Sequence, residues 1–151
     1  MNAKFVPNDS DAPWKSEPDH ERWTDVATGY ECSIVRHTSM QHLCGYVGLP
    51  ADHPWFRKHY DDARMMDGDY VEAHGGLTYA HDHAPNEKPD GLWWLGFDCA
   101  HLGDYSPDIG RGVRSSGDSE ETYKTWAYVR AECETLASQA KRHADAMRIA
   151  P

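Results

Sequence analysis

The run GLWWLGFDCAHLGD, residues 91–104, constrains the fold more than any other part of the chain. It opens with a succession of large apolar side chains, which is typical of a strand inside a protein. Because side chains along a strand alternate between its two faces, Trp93 and Trp94 are expected to point to opposite sides of a sheet. We therefore predict a buried strand at Leu92–Cys99.

Three further strands are predicted from apolar stretches bounded by turn-forming residues. They are Tyr30–Arg36, His42–Leu49 and Val71–Tyr79. The segment 81–91 is rich in Pro, Asp and Asn, which predicts a loop joining the last of these strands to the aromatic one. Two strands joined by such a loop are expected to be antiparallel neighbours. The sheet should therefore have about four strands and be mostly antiparallel.

A long amphipathic helix is predicted near the C-terminus. Apolar side chains recur there at helical intervals of three and four residues: Trp126, Val129, Cys133, Leu136 and Ala140. Asp118 and Glu121 have the spacing of a capping box at its start. Strands followed by one long helix predict an α+β fold in which the sheet packs against that helix.

Length and composition predict a single globular domain. The chain has 151 residues, with six tryptophans and eight tyrosines whose burial removes a large apolar area from water. Residues 1–22 are rich in Pro, Asp, Ser and Glu and are expected to form an extended arm, with the globular domain at 23–151. The N-terminus lacks an apolar signal segment and no run is long enough to span a membrane, so a soluble, cytoplasmic protein is expected.

The charge balance argues against general nucleic-acid binding. The chain carries 25 acidic residues against 15 lysines and arginines, a net charge of −10, which repels a phosphate backbone. A small phosphorylated ligand stays compatible with this charge, because one local arginine or a ring of backbone N–H groups can hold it. The four cysteines are widely spaced, with no C-x-x-C pair, which indicates neither a zinc site nor a disulfide framework.

Polar residues at the ends of two neighbouring strands are expected to meet. Asp98, His101 and Asp104 follow the aromatic strand, and His74 lies in the strand before it. Two imidazoles and two carboxylates can form a general base with its orienting group, or can bind a divalent metal that acidifies a bound water. The structural alternative is that each aspartate accepts backbone N–H groups and each histidine is simply its partner.

Glycines beside these residues predict a place where a ligand can approach the backbone. Gly75 and Gly76 follow His74, and glycine has no side chain to keep a ligand from main-chain N–H groups. A bulge or a tight crossing is the alternative. Tyr46 lies between glycines in CGYVG and, together with Trp94, could form a floor on which a nucleobase stacks.

Four stretches of the chain resemble a group of small bacteriophage and prophage proteins: LCGYVGLP with the following DHPWF, VEAHGGLTYA, LWWLGFDCAHLGDYSP and YVRAECETLASQ. The likeness runs in order from about Tyr30 to Gln139. The resemblance implies a phage accessory protein in the host cytoplasm, but it carries no activity that can be transferred to this chain. By analogy with such phage proteins, it could act against host defence by binding or destroying a nucleotide-derived immune signal.

Three functions are compatible with these patterns. The first is binding of a small nucleotide-like ligand through Tyr46, His74, Gly75, Gly76, Trp94, Asp98, His101 and Asp104. The second is hydrolysis of such a ligand, with a divalent metal possible but not favoured, by the catalytic set His74, Asp98, His101 and Asp104. The third is inhibition of a host defence protein through the aromatic residues Trp55, Phe56 and Tyr60. A homo-oligomer with shared pockets fits the first function.

Overall fold

The structure, a computed structural model, describes residues 12–65, 71–107 and 122–149. Five strands form one sheet: β1 His20–Thr24, β2 Glu31–Arg36, β3 Leu43–Leu49, β4 Tyr79–His81 and β5 Trp93–Asp98. The order across the sheet is β1-β2-β3-β5-β4, and each neighbouring pair is antiparallel.

Two helices accompany the sheet in the described residues, α1 Tyr60–Met65 and the 24-residue α2 Trp126–Ile149, and Pro13–Lys15 form a short 3-10 turn. An antiparallel sheet with one long C-terminal helix confirms the predicted α+β fold. None of the helices in these parts of the chain has the length and hydrophobicity that a transmembrane segment requires.

Helix α2 packs its predicted apolar stripe against β2 and β3. Val129, Cys133 and Leu136 are all buried there. The helix begins after Thr125, whose hydroxyl accepts a hydrogen bond from the backbone N–H of Tyr128 at 3.2 Å, as an N-cap residue does. The predicted capping box at Asp118 and Glu121 lies outside the described residues.

The aromatic strand contributes to two hydrophobic clusters, one on each face of the sheet, as the alternation predicts. Phe97 belongs to the cluster beneath α2, and Gly45 makes room for it: a Cβ atom there would lie 2.5 Å from the Phe97 ring and 2.7 Å from Cys133 Sγ. On the opposite face, Trp94 packs with Tyr46 and with Ala84 of the loop between β4 and β5. That loop therefore closes the second face.

The fifth strand, β1, was not predicted, because it begins inside the segment assigned to the extended arm. Its sequence HERWT is mostly polar and shows no apolar alternation, since β1 is an edge strand that pairs only with β2. Upstream of it, Trp14 stacks on Tyr105 with ring centroids 5.4 Å apart. The segment from Ala12 onward thus belongs to the folded structure.

The predicted strand Val71–Tyr79 is wrong over most of its length, because β4 covers only Tyr79–His81. Gly75 and Gly76 have φ angles of +69° and +86°, and the N–H of Gly76 donates to the carbonyl of Ala73 at 2.8 Å. Two successive residues with positive φ cannot continue an extended strand. The chain turns there instead, and it joins the sheet after the turn.

Candidate functional site

The four polar residues predicted to meet form two histidine–aspartate pairs. His74 Nε2 lies 2.7 Å from Asp104 Oδ2, and His101 Nε2 lies 3.2 Å from Asp98 Oδ1. The two imidazole centroids are 6.1 Å apart. The antiparallel pairing of β4 with β5 carries the turn before β4 toward the exit of the aromatic strand, and His74 of that turn meets Asp104 there.

A tight turn after β5 positions the second aspartate. The N–H of Asp104 donates to the carbonyl of His101 at 2.9 Å, and the N–H of His101 donates to Asp104 Oδ2 at 3.0 Å. The backbone of Tyr105 then bonds to the carbonyl of Thr122 at 2.8 Å, just before helix α2. The carboxylate of Asp104 is therefore fixed by backbone geometry on both sides.

Asp104 is almost completely buried, with 2% of its surface exposed. Besides His74 and the N–H of His101, it contacts the ammonium group of Lys124 at 3.1 Å. Burial alone raises the pKa of Asp104, but the hydrogen bonds from His74, His101 and Lys124 outweigh burial and hold the pKa below its ordinary value. Asp104 is therefore an ionised, acceptor-only group at neutral pH.

Sequence reasoning missed Tyr128, which extends the first pair to the surface. Its hydroxyl lies 2.8 Å from His74 Nδ1, so Asp104, His74 and Tyr128 form one hydrogen-bonded chain. Burial, followed by nearby Glu132, raises the pKa of Tyr128 to about 12. No periodic signal links positions 74 and 128, because the contact joins a turn to a distant helix.

The four residues are not arranged as a metal site. Within the described parts of the chain, no group of three or more His, Cys, Asp or Glu side chains converges as metal ligands would. His74 and His101 both direct Nε2 at a carboxylate of their own, and Lys124 places a positive charge against Asp104. The geometry therefore favours proton transfer between paired groups over cation binding.

The glycines of the turn make room for an imidazole instead of a ligand. A Cβ atom on Gly75 would overlap the His101 ring. The N–H of Gly76 is already bonded to Ala73. The prediction that Gly75 and Gly76 offer open backbone to a ligand is corrected accordingly: they form the close crossing that was its alternative.

We expect Gly75→Ala to destabilise the protein by at least about 1 kcal/mol more than Gly29→Ala does. Both glycines have positive φ, +69° and +79°, so both substitutions carry the same backbone cost. Only at Gly75 must the new methyl group also displace a side chain, His101, and such overpacking typically costs about 1–3 kcal/mol. Urea unfolding of the two variants measures the difference. If both variants lose the same free energy of unfolding, the His101 side chain moves aside at no cost.

Trp94 cannot act as the expected stacking platform. Its side chain is 0% exposed, the guanidinium of Arg22 lies over the ring at 4.9 Å from the centroid, and its indole N–H donates to Asp90 at 3.2 Å. Tyr46, the other predicted aromatic, is nearly buried and meets Tyr79 edge to face with centroids 5.0 Å apart. Trp94 is therefore a core residue beneath the loop between β4 and β5.

Tyr46 and Asp98 line a surface groove of about 350 Å³ at the start of β3 and the end of β5. The other residues that line it are His37, His42, Cys44, Thr78, Tyr79, Phe97 and Ala100. The imidazoles of His37 and His42 are stacked, with centroids 4.8 Å apart and planes 16° from parallel. Among the described residues that line this groove, none is a lysine or an arginine.

The carboxylate of Asp98 faces this groove with part of its acceptor capacity unused. It accepts hydrogen bonds from Thr78 Oγ1 at 3.0 Å and from the N–H of Ala100 at 3.0 Å, and His101 Nε2 lies 3.2 Å from its Oδ1. Only the first of these reaches Oδ2, whereas a carboxylate offers about four acceptor positions. With 30% of the side chain exposed, one position on Oδ2 can serve a ligand.

The three aromatic residues expected to contact a host protein are buried or partly buried. Trp55 is buried, and its ring stacks on His143 with centroids 5.0 Å apart, so it belongs to the core. Phe56 and Tyr60 are partly buried, and Phe56 packs edge to face on Trp93. The prediction that Trp55 faces a host protein is therefore wrong, whereas inhibition through Phe56 and Tyr60 stays a prediction.

Comparison of the chain with protein-family models, with curated proteins and with solved structures gave no match. A sheet covered by one helix hosts many unrelated functions, so fold alone does not indicate an activity. The features of this chain that bear on function are the side chains of the groove and of the two histidine–aspartate pairs.

Proposed function

We propose that the protein binds a small heteroaromatic ligand of nucleobase or nucleoside type in the groove lined by Tyr46 and Asp98. The observation that carries this proposal is that the carboxylate of Asp98, a hydrogen-bond acceptor, lines the groove among aromatic side chains. A volume of about 350 Å³ falls in the lower part of the range of small-molecule pockets. A base with its sugar is therefore a suitable size, whereas a dinucleotide would extend beyond the walls.

The walls supply stacking surfaces. The imidazole of His37, which stacks on buried His42, and the ring of Tyr79 line the groove. Stacking of a base on such rings contributes about 1–3 kcal/mol per base and tolerates any base. Stacking therefore supports affinity for a flat heteroaromatic ring, and the selectivity must come from a polar group.

Asp98 supplies that selectivity. Its remaining acceptor position suits an N–H donor, such as a ring N–H or an exocyclic amino group, and a hydrogen bond to a charged group contributes about 1.5–3 kcal/mol. A phosphate would meet no lysine or arginine among the described residues that line the groove, and the chain carries a net charge of −10. The base and sugar should therefore be recognised rather than the phosphate.

We expect Asp98→Asn to weaken nucleoside binding about tenfold or more, because the amide loses the charge that strengthens the hydrogen bond. Calorimetric titration with guanosine, cytidine, adenosine and uridine, and with their 5′-monophosphates, measures the affinities. The bases that carry an amino group should bind best, and a 5′-phosphate should give no gain.

The matched control is Asp82→Asn, which removes a carboxylate from a different groove, the one formed by Phe56, Arg57 and Trp93. This variant should bind as the unmodified protein does. The proposal fails if no nucleoside binds the unmodified protein, or if the asparagine at position 98 leaves affinity unchanged.

In the phage setting that the sequence resemblance implies, such a protein would sequester a nucleotide-derived signal of the host. Hydrolysis is the second candidate, favoured by the contact between groove-lining Asp98 and His101, since an aspartate-oriented imidazole is a suitable general base. Mass spectrometry of the small molecule released on denaturing protein purified from defence-competent bacteria distinguishes the two. An intact ligand supports sequestration, and a cleaved one supports hydrolysis.

A further inference from the structure

A continuous hydrogen-bonded chain runs from the interior to the surface through Asp104, His74 and Tyr128. The distances are 2.7 Å from Asp104 Oδ2 to His74 Nε2 and 2.8 Å from His74 Nδ1 to Tyr128 Oη. Asp104 is buried, His74 is mostly buried, and Tyr128 is 38% exposed. The chain thus ends in a hydroxyl that solvent and solutes can reach, and Tyr128 does not line the groove assigned to ligand binding.

The protonation states along this chain follow from its buried end. The ionised carboxylate of Asp104 can only accept, so Nε2 of His74 carries the proton that lies between them. In the neutral imidazole, Nδ1 is then an acceptor, and the hydroxyl of Tyr128 donates to it. Nucleophile, base and orienting acid are therefore arranged as in a Ser-His-Asp triad, with a phenol in place of the serine and the two ring nitrogens exchanged.

We propose that Tyr128 is a nucleophile, activated by His74 and Asp104, that accepts the acyl group of small carboxylic esters. Tyr128 Oη forms a bond to the carbonyl carbon while its proton passes to Nδ1 of His74. The bond from that carbon to the leaving alcohol oxygen then breaks, and the alcohol takes the proton from His74. The products of this first step are the free alcohol and an O-acyl Tyr128.

Water completes the cycle without any further reactant. A water molecule attacks the acyl carbon and gives a proton to Nδ1 of His74, the bond to Tyr128 Oη breaks, and Oη takes that proton back. The sum is ester plus water giving acid plus alcohol. Asp104 stabilises the imidazolium formed in both steps, and Lys124, 3.1 Å from Asp104, helps to keep that carboxylate ionised.

The environment of Tyr128 agrees with a base-assisted role. Burial of part of the ring and the charge of Glu132 raise the pKa of Tyr128 to about 12, so the phenol is protonated at neutral pH. Like a serine hydroxyl, it becomes a good nucleophile only when a neighbouring base removes the proton during attack.

Tyr30 provides an internal comparison. It is partly exposed and also packs against a histidine, His53, with ring centroids 5.9 Å apart. His53 uses Nδ1 to accept from the backbone of Trp55 and Nε2 to bond with the carbonyl of Ala140. His53 therefore has no ring nitrogen to give to Tyr30, and Tyr30 should react as an ordinary tyrosine.

The test is acetylation by p-nitrophenyl acetate, followed by release of p-nitrophenol and by peptide mapping with mass spectrometry. Tyr128 should be acetylated at least tenfold faster than Tyr30. Tyr128→Phe should remove that fast phase, while Tyr30→Phe should leave it unchanged. His74→Gln should slow acetylation of Tyr128 to the rate of Tyr30, with circular dichroism confirming that the variant is folded.

Three results would overturn the proposal: acetylation confined to lysines and the N-terminus, equal rates at Tyr128 and Tyr30, or an unchanged rate in folded His74→Gln. The comparison of the two tyrosines uses the unmodified protein. It therefore decides the question even if the position-74 variant does not fold. Nucleoside binding in the groove is measured separately, so failure of one proposal leaves the other standing.

Discussion

Replacing Asp104 with alanine is expected to lower the free energy of unfolding by about 3–5 kcal/mol, the typical cost of removing one partner of a buried ion pair. The carboxylate is 2% exposed and serves three donors at once: His74, Lys124 and the backbone N–H of His101. Without it, the ammonium group of Lys124 stays mostly buried and loses its anion. The backbone N–H loses its acceptor as well, which adds a desolvation cost.

Urea unfolding at neutral pH, followed by circular dichroism, measures this loss. Asp104→Asn should be less harmful than the alanine variant, because an amide oxygen can still accept from His74 and His101. The control is Asp82→Ala. This exposed carboxylate hydrogen-bonds to neighbouring His83, and its removal should leave stability nearly unchanged. If the alanine variants at positions 104 and 82 are equally stable, Asp104 is not a structural anchor.

The same carboxylate sets an acid limit on stability. Its pKa is lower in the folded protein than in the unfolded chain, where an aspartate has a pKa of about 3.9. Its contribution is therefore complete above about pH 5 and is lost as the pH falls through 3.9 toward the folded pKa. Asp104→Asn should flatten the acid limb of the curve of stability against pH. If the stability of Asp104→Asn falls with pH as steeply as that of the unmodified protein, other carboxylates cause the acid sensitivity.

Features that depend on local backbone geometry could be predicted from the sequence. The opposite facing of Trp93 and Trp94 follows from the two-residue period of a strand, and burial of Val129 and Cys133 follows from the 3.6-residue period of a helix. The approach of His74 to the end of β5 needed one further assumption, that a short polar loop joins antiparallel neighbours. That assumption fixed the location of the two histidine–aspartate pairs, but not which histidine bonds to which aspartate.

Features that depend on tertiary context could not be predicted in this way. Strand β1 is recognisable only by its pairing with β2, because an edge strand exposed to solvent needs no apolar alternation. Tyr128 joins the site through a helix that is folded onto the turn from far along the chain. The turn at Gly75 did carry a signal, since adjacent glycines in a strand pattern indicate a close backbone approach, but the sequence did not say that the approaching group is His101.

Trp94→Ala is expected to cost about 3–5 kcal/mol of unfolding free energy, the usual range for truncating a fully buried aromatic side chain. The ring of Trp94 is 0% exposed and fills the space between the sheet and the loop that follows β4. Its removal opens a cavity, and it also deprives Arg22 and Asp90 of the ring and the indole N–H that they contact. The cost therefore combines lost packing with lost polar contacts.

Trp93→Ala is the matched control, because the adjacent tryptophan is the same size and lies in the same strand. Trp93 is only partly buried, faces the other side of the sheet and donates its indole N–H to the carbonyl of Lys58 at 2.8 Å. Its removal should cost clearly less, as the area buried is smaller. Thermal unfolding of both variants gives the comparison. Equal costs would mean that the hydrophobic cluster around Trp94 and Tyr46 contributes little to stability.

Comparison of Trp94→Ala with Trp94→Phe separates the two roles that an aromatic residue near the groove can have. Tyr46 lines the groove and packs in the same cluster as Trp94, so loss of the buried ring should loosen Tyr46 and weaken nucleoside binding indirectly. Trp94→Phe refills part of the cavity. If the effect on binding is indirect, nucleoside affinity should therefore recover together with stability. If Trp94 stacked directly on the ligand, a fully stable variant would still bind the nucleoside more weakly. The complete burial of Trp94 argues against such a direct role.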